Sequence, residues 1–165
     1  MMKKLYLIGG TMGVGKTAVG QTLKRKLPDS VFLDGDWCWD MHPFRVTEHA
    51  KIMVMDNICY LLKNFLRSPD YKSVIFSWVM HEQGIIDEIV ERTAAWDVEV
   101  VKLSLVCRED VLRARLQRDI DAGIREPDIL ERSLVRLPFY RHLDTIKIDV
   151  SDMTVGEAAE FISRM

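Results

Sequence analysis

Short runs rich in Val, Ile and Leu alternate along the chain with longer stretches whose apolar residues recur at helical spacing. The runs Lys4–Ile8, Val31–Leu33, Ser73–Val79, Val98–Val106 and Ile146–Val150 show little polar alternation. Strands of that kind are buried on both faces, as in a parallel sheet covered by helices. The intervening spacing predicts a helix over Gly15–Leu27, with Val19, Leu23 and Leu27 on one face and Pro28 beyond its end. A second is predicted over Glu48–Leu66, opened by Thr47 as N-cap, with others over Ile85–Ala95 and Glu109–Ile120. Asp128–His142 reads as mostly helical, with Pro138 expected to kink or break it. The last helix opens with Thr154-Val-Gly-Glu157, the spacing of a capping box. Such alternation implies an open α/β sheet whose ligands bind outside the carboxyl ends of the strands. Chemistry is therefore to be sought just after each strand.

A length of 165 residues, 48% of them hydrophobic, suits a single domain with a substantial core. No repeat, low-complexity tract or linker divides it, so residues 1–165 read as one unit. The net charge of −2 argues against a general nucleic-acid-binding face, which needs excess cations to neutralise phosphates. The most apolar helical stretch, IMVMDNICYLL, is interrupted by Asp56 and is shorter than the roughly 18 residues a membrane span requires. The apolar run before Gly9 and Gly10 is too short for a signal-peptide core. Cys38, Cys59 and Cys107 are widely spaced and form no CxxC pair, so they read as reduced thiols of a cytoplasmic protein. A monomer or homodimer is expected.

The clearest chemical signal is Gly10-Thr11-Met12-Gly13-Val14-Gly15-Lys16-Thr17, which fits the phosphate-loop pattern GxxxxGK[ST]. Its glycines let the backbone turn tightly, so that successive N–H groups face phosphate oxygens, and the helix that follows adds its positive N-terminal end. Lys16 supplies a cation for the β- and γ-phosphates, and the Thr17 hydroxyl is a magnesium ligand. With Ala18 in the first helical turn, these residues form the expected ATP-binding cradle. The motif follows a buried-type strand and opens an amphipathic helix, the context it needs.

The second strand ends in Asp34-Gly35-Asp36. Carboxylates at i and i+2 on a strand share a face about 6.6 Å apart. At an effective dielectric near 20 they repel by about 2.5 kcal/mol. A cation or proton donor between them relieves that repulsion, as does plain solvation at a turn. A magnesium nucleotide with a substrate hydroxyl meets the first need.

GGTMGVGKTAVG followed by FLDGDWCW resembles the small P-loop metabolite kinases, namely gluconate, shikimate and adenylylsulfate kinases and the chloramphenicol phosphotransferases. Gluconate kinase is nearest in wording, with its own LDGD. The resemblance implies a three-layer P-loop NTPase fold, a five-stranded parallel sheet of order 2-3-1-4-5 and a mobile arginine-containing lid at about residues 117–127. It implies transfer of the γ-phosphoryl group of ATP, with Mg²⁺, to a hydroxyl of a small metabolite, a sugar-acid-like acceptor being favoured. Asp34 and Asp36 match the positions that contact the acceptor hydroxyl or the magnesium shell; which of them is the base stays open. Arg115, Arg118 and Arg125 fall where the family's lid arginines close over the phosphoryl group, whose spread charge guanidinium groups stabilise. Ser151 falls in the loop that passes the adenine.

The segment Trp37–Arg45 matches no single member, so the acceptor is not named by it. Trp37 and Trp78 are candidates to stack on an acceptor ring, and Arg45 to pair with a carboxylate or phosphate. The third strand carries no acid where P-loop hydrolases place one near magnesium, and Glu82 falls several residues late. That moves the metal role to Thr17 and Asp34. A nucleoside or nucleotide kinase, an antibiotic phosphotransferase and a nucleotide-driven switch or hydrolase are the competing readings. The last lacks an [NT]KxD guanine-reading motif.

Overall fold

The computed structural model describes residues 2–93 and 97–165. Five parallel strands, β1 (Lys3–Gly9), β2 (Ser30–Asp34), β3 (Ser73–Ser77), β4 (Val98–Val106) and β5 (Ile146–Asp149), form one sheet of order β2-β3-β1-β4-β5. The helices are α1 (Lys16–Lys26), α2 (Glu48–Arg67), α3 (Gln83–Thr93), α4 (Glu109–Asp121), α5 (Ile129–Arg136) and α6 (Val155–Ser163). The strand order expected from the resemblance is the one observed.

The apolar strands are apolar because each face meets its own layer. Tyr6, Ile8, Phe32 and Ile75 join one core cluster with Val19 and Leu23 of α1 and Ala158 and Ile162 of α6. Leu5, Leu7, Leu33, Val74 and Phe76 join a second cluster with Val54, Ile58 and Leu62 of α2 and Ile86 of α3. Alternate residues of one strand thus enter opposite cores.

Helix ends follow their local signals. Thr47 accepts from the Ala50 amide at 3.0 Å, and Thr154 and Glu157 close a reciprocal capping box at the start of α6. Pro138 does interrupt the 128–142 stretch: α5 stops at Arg136 and a 3₁₀ segment, Leu137–His142, replaces it. β3 ends at Ser77, two residues before the expected Val79, because the chain leaves the sheet to run beside the phosphate loop, where the Val79 carbonyl accepts from the Gly10 amide. The predicted end of the third helix at Ala95 lies outside the described residues. No helix among the described residues is long and apolar enough to cross a membrane.

Candidate active site

The phosphate loop leaves the centre of the sheet, where β1 lies between β3 and β4. Gly10, Gly13 and Gly15 all have positive φ, at 156°, 84° and 107°. Two of them are needed for different reasons. A Cβ on Gly13 would lie 2.5 Å from the Leu116 side chain, so the loop can pack on α4 only with glycine there. A Cβ on Gly15 would meet nothing within 4 Å; its demand is conformational, and the space in front of it is open. Thr11 is fully buried, and its hydroxyl donates to the Ser133 carbonyl at 2.7 Å, which ties the loop to α5. Val14 is buried and Met12 packs against the same core, so these two enter the cradle through their backbone only. Ala18 is exposed on the first turn of α1.

Lys16 donates to the Thr11 carbonyl at 3.0 Å. Burial pulls its pKa down to about 8, opposed by the charges of Asp36 and Asp34 and assisted by Arg125 and Arg136. The ammonium is therefore a cation held short of anionic partners, which a triphosphate supplies. Thr17 donates to Asp34 Oδ2 at 2.6 Å, while Asp34 Oδ1 accepts from the Asp36 amide at 3.0 Å. Asp34 is buried with both oxygens engaged, whereas Asp36 is exposed. Surrounding protein and the neighbouring Asp34 raise the Asp36 pKa, and Lys16, the Trp78 indole and Arg125 counter that rise. The two carboxylates are thereby distinguished. Asp34 is fixed against Thr17, and Asp36 is the freer of the two.

The aromatic residues divide. Trp78 packs so tightly on Gly35 that a Cβ there would lie 2.4 Å from its ring. Trp39 meets Trp78 and Phe44 edge-on, at centroid distances of 6.5 and 5.2 Å. Trp37, a candidate to stack on an acceptor ring, meets Phe32 in a T-shaped pair on the α1 side of the sheet and is 57% exposed. The 3₁₀ turn Gly35–Trp39 is responsible, because it sends successive tryptophans to different sides. Arg45 is exposed on the loop before α2 and has no ion-pair partner among the described residues.

The arginines also separate by role. Arg115 donates to the carbonyls of Val14 and Val150, at 3.2 and 2.9 Å, and so clamps the phosphate loop to the end of β5. Two of its guanidinium N–H groups are thus engaged by main chain, and Arg115 also lines the cavity beside the loop. Arg118 borders a cavity of about 420 Å³ together with Gly13, Gly15, Val150, Met153 and Ala158. This cavity opens beside the phosphate loop between α4 and α6. Arg125 pairs with Asp119 at 3.0 Å, and its charge reaches both Lys16 and Asp36. Gly123, at φ 71°, turns the chain back so that the Ile124 amide reaches the Asp119 carbonyl. Ser151 does not line the cavity; it accepts from the Arg108 amide at 2.8 Å and donates to Asp149. Met153 borders the cavity in its stead.

One residue went unread in the sequence. Arg136, half-buried at the end of α5, acts on Lys16, His81 and Tyr140 and has no ion-pair partner among the described residues. Beside it His81 stacks on Phe139 at 6.3 Å, and the Tyr140 hydroxyl donates to the Val79 carbonyl. The only signal for Arg136 was a basic residue two positions before the helix-breaking Pro138.

A family model described as an AAA domain matches residues 7–132. No curated protein sequence matches the chain. Among solved structures, the chain is similar to a gluconokinase from Sinorhizobium meliloti, with 20% identity over 99% of this chain and 93% of that one, at a TM-score of 0.68. It is similar to the Deinococcus radiodurans tunicamycin resistance protein, with 19% identity over 98% and 94% of the two chains and a TM-score of 0.70. It is also similar to an Acinetobacter baumannii shikimate kinase in complex with shikimate, with 20% identity over 98% and 91% and a TM-score of 0.59. At such identities the likeness establishes the fold.

Proposed function

The chain belongs to the AAA domain family, and from that premise we propose that it is an ATP-dependent kinase of a small, hydroxyl-bearing and acidic metabolite. The observation that carries this reading is the placement of half-buried Lys16 within electrostatic reach of Asp36, Asp34, Arg125 and Arg136. Such a constellation supplies charge for a phosphoryl group from one side and a carboxylate for an acceptor from the other.

The chain's residues divide the work as follows. Loop amides from Gly13 to Thr17 and the Lys16 ammonium hold the β- and γ-phosphates, and the cavity beside Arg118 and Met153 receives the nucleoside. Magnesium, held by the Thr17 hydroxyl with Asp34 in its water shell, would neutralise phosphate charge. Asp36 accepts the proton of the acceptor hydroxyl as that oxygen forms its bond to the γ-phosphorus. The bond from phosphorus to the bridging oxygen breaks, ADP departs, and Arg125 stabilises the charge spread over the moving group. Trp78 and Trp39 form the apolar wall on the acceptor side, and the unpaired Arg136 supports an acceptor that carries a carboxylate.

ADP release measured against sugars, sugar acids, other hydroxy acids, nucleosides and antibiotic hydroxyls tests the proposal. Antibiotics belong in the panel because one structural neighbour is a tunicamycin resistance protein. Acceptor-dependent ADP release, strongest with a hydroxy acid, is expected. Release of the same size with and without every acceptor would overturn the kinase reading in favour of a hydrolase.

A further inference from the structure

A second cavity, of about 210 Å³, lies at the β5 edge of the sheet, between the ends of β4 and β5 and the 3₁₀ segment Leu137–His142. Val106, Cys107 and Leu137 give it an apolar wall. Arg108, Arg141 and Lys147 also line it, and Asp149 is the one acid in the lining. None of these residues belongs to the phosphate loop, to the larger cavity beside it or to the tryptophan wall. The turn after β5 divides the two cavities, with Asp149 on this one and Val150 and Met153 on the other. The three cations are unequally engaged. Arg108 sets its fork on Asp152, at 2.8 and 3.2 Å, and lies 3.5 Å from Asp110. Lys147 donates to the carbonyls of Leu143 and Thr145, and the nearby Asp144 is already paired with Lys102. Arg141 is exposed and has no hydrogen-bond or ion-pair partner among the described residues. Asp149 Oδ1 accepts from both the amide and the hydroxyl of Ser151. Arg141 and Lys147 thus face one concavity with no carboxylate bonded to either among the described residues. Like charges so placed repel until an anion stands between them.

We propose that this cavity is a second anion site, which takes the phosphate group of a small phosphorylated metabolite on Arg141 and Lys147. A guanidinium grips phosphate oxygens with paired N–H groups and an ammonium adds a point charge, so the two together match a dianion. Arg108 adds positive potential at the rim while its fork stays on Asp152. The volume falls below the roughly 300–1,000 Å³ of sites for drug-sized ligands, so the occupant is a phosphate on a short carbon stem and not a second nucleotide. The wall of Val106, Cys107 and Leu137 receives that stem. The site stands apart from the kinase reading and does not depend on it.

Calorimetric titration of glycerol 3-phosphate and of inorganic phosphate tests this, in about 0.15 M chloride so that diffuse attraction is screened. The protein carries a saturating non-hydrolysable ATP analogue with magnesium, which fills the phosphate loop. The same titrations on a nucleotide-free Lys16→Met background keep the answer independent of the nucleotide reading. Glycerol 3-phosphate is expected to bind once per chain, and more tightly than inorganic phosphate. Arg141→Gln and Lys147→Gln should each weaken it about tenfold, the scale of one charge-assisted hydrogen bond, whereas Arg136→Gln should leave it unchanged. Arg141 has no partner to lose, so Arg141→Gln should melt with wild type, and its loss of binding is then not a loss of fold. Absence of saturable binding, or equal affinity in Arg141→Gln and wild type, overturns the proposal. A loss confined to Arg136→Gln does so too, because it moves the anion to the acceptor side. Binding of inorganic phosphate without glycerol 3-phosphate would overturn the metabolite as occupant.

Discussion

Thr17 Oγ1 donates to Asp34 Oδ2 at 2.6 Å, joining the first turn after the phosphate loop to the end of the second strand. A hydroxyl that gives its proton to a carboxylate turns oxygen lone pairs outward, which is the orientation a cation ligand needs. Asp34→Asn weakens that orientation and removes a charge from the metal's surroundings. ADP affinity in EDTA should stay within about twofold of wild type, while the magnesium-dependent gain falls about tenfold, the scale of one charge-assisted hydrogen bond. Paired titrations with magnesium and with EDTA measure this directly.

Asp36 should behave differently, since its carboxylate is not tied down by Thr17. Asp36→Asn is expected to lower kcat on the order of 10²- to 10⁴-fold, the usual span for a lost general base, with ADP binding preserved. Because protein surroundings and Asp34 raise the Asp36 pKa, the wild-type rate should decline with falling pH at a point above the ordinary aspartate range. The stability effect has the opposite sign. A carboxyl with a raised folded-state pKa contributes stability at low pH that is lost as pH rises through that value. At neutral pH the Asp36→Asn protein should therefore melt no lower than wild type. A clear drop in melting temperature would argue that Asp36 is a structural residue.

Lys16 gives a proton-linked signature. Its pKa of about 8 in the free protein reflects burial ahead of any neighbouring charge, and phosphates would restore the ordinary value. Nucleotide binding at pH 9 should then take up close to one proton, and almost none at pH 6.5, where the ammonium is already formed. Calorimetry in buffers of different ionisation enthalpy reads this number, and Lys16→Met should abolish it. The same sign holds for stability. Unfolded Lys16 keeps its proton to higher pH, so the nucleotide-free protein gains stability between about pH 8 and 10 relative to Lys16→Met.

The sheet and the phosphate cradle were legible in the sequence because each rests on local rules. Ile8, Phe32 and Ile75 announce burial by composition, and Gly10, Gly13 and Gly15 announce a backbone conformation that other residues rarely adopt. The acceptor side depends instead on how the chain turns between elements. A 3₁₀ turn decides that Trp39, and not Trp37, reaches Trp78. The break at Pro138 was predictable, but the approach of Arg136 to Lys16 depends on α5 docking through Thr11 and Ser133, a contact 122 residues apart in sequence. Arg115 and Ser151 make main-chain and turn hydrogen bonds that their positions in the sequence did not announce. Position along the chain identifies a candidate; only the partners of its polar atoms assign its work.

Gly35 offers a test that separates the two halves of the site. Its backbone φ is not positive, so alanine is excluded there by contact alone. The added Cβ would lie 2.4 Å from Trp78 Cγ and 2.6 Å from Cδ1. Trp78 cannot simply yield, because Trp39 stands edge-on against it and Phe76 lies behind it at 6.4 Å. Overpacking of this kind costs about 1–3 kcal/mol, which for a chain of this size corresponds to a melting temperature lower by roughly 2–12 °C. Displacing the indole also removes a group that holds the Asp36 pKa down. Gly35→Ala should thus lower kcat at least tenfold at neutral pH, about 1.4 kcal/mol in the barrier. Affinity for ADP should hold within about twofold, since the Gly10–Thr17 cradle lies across β1 and β3 and packs on α4 instead. Trp78 fluorescence should shift in the same variant. Equal losses in ADP binding and turnover would mean that the two halves are one cooperative unit, and the division of labour between Lys16 and Asp36 would have to be redrawn.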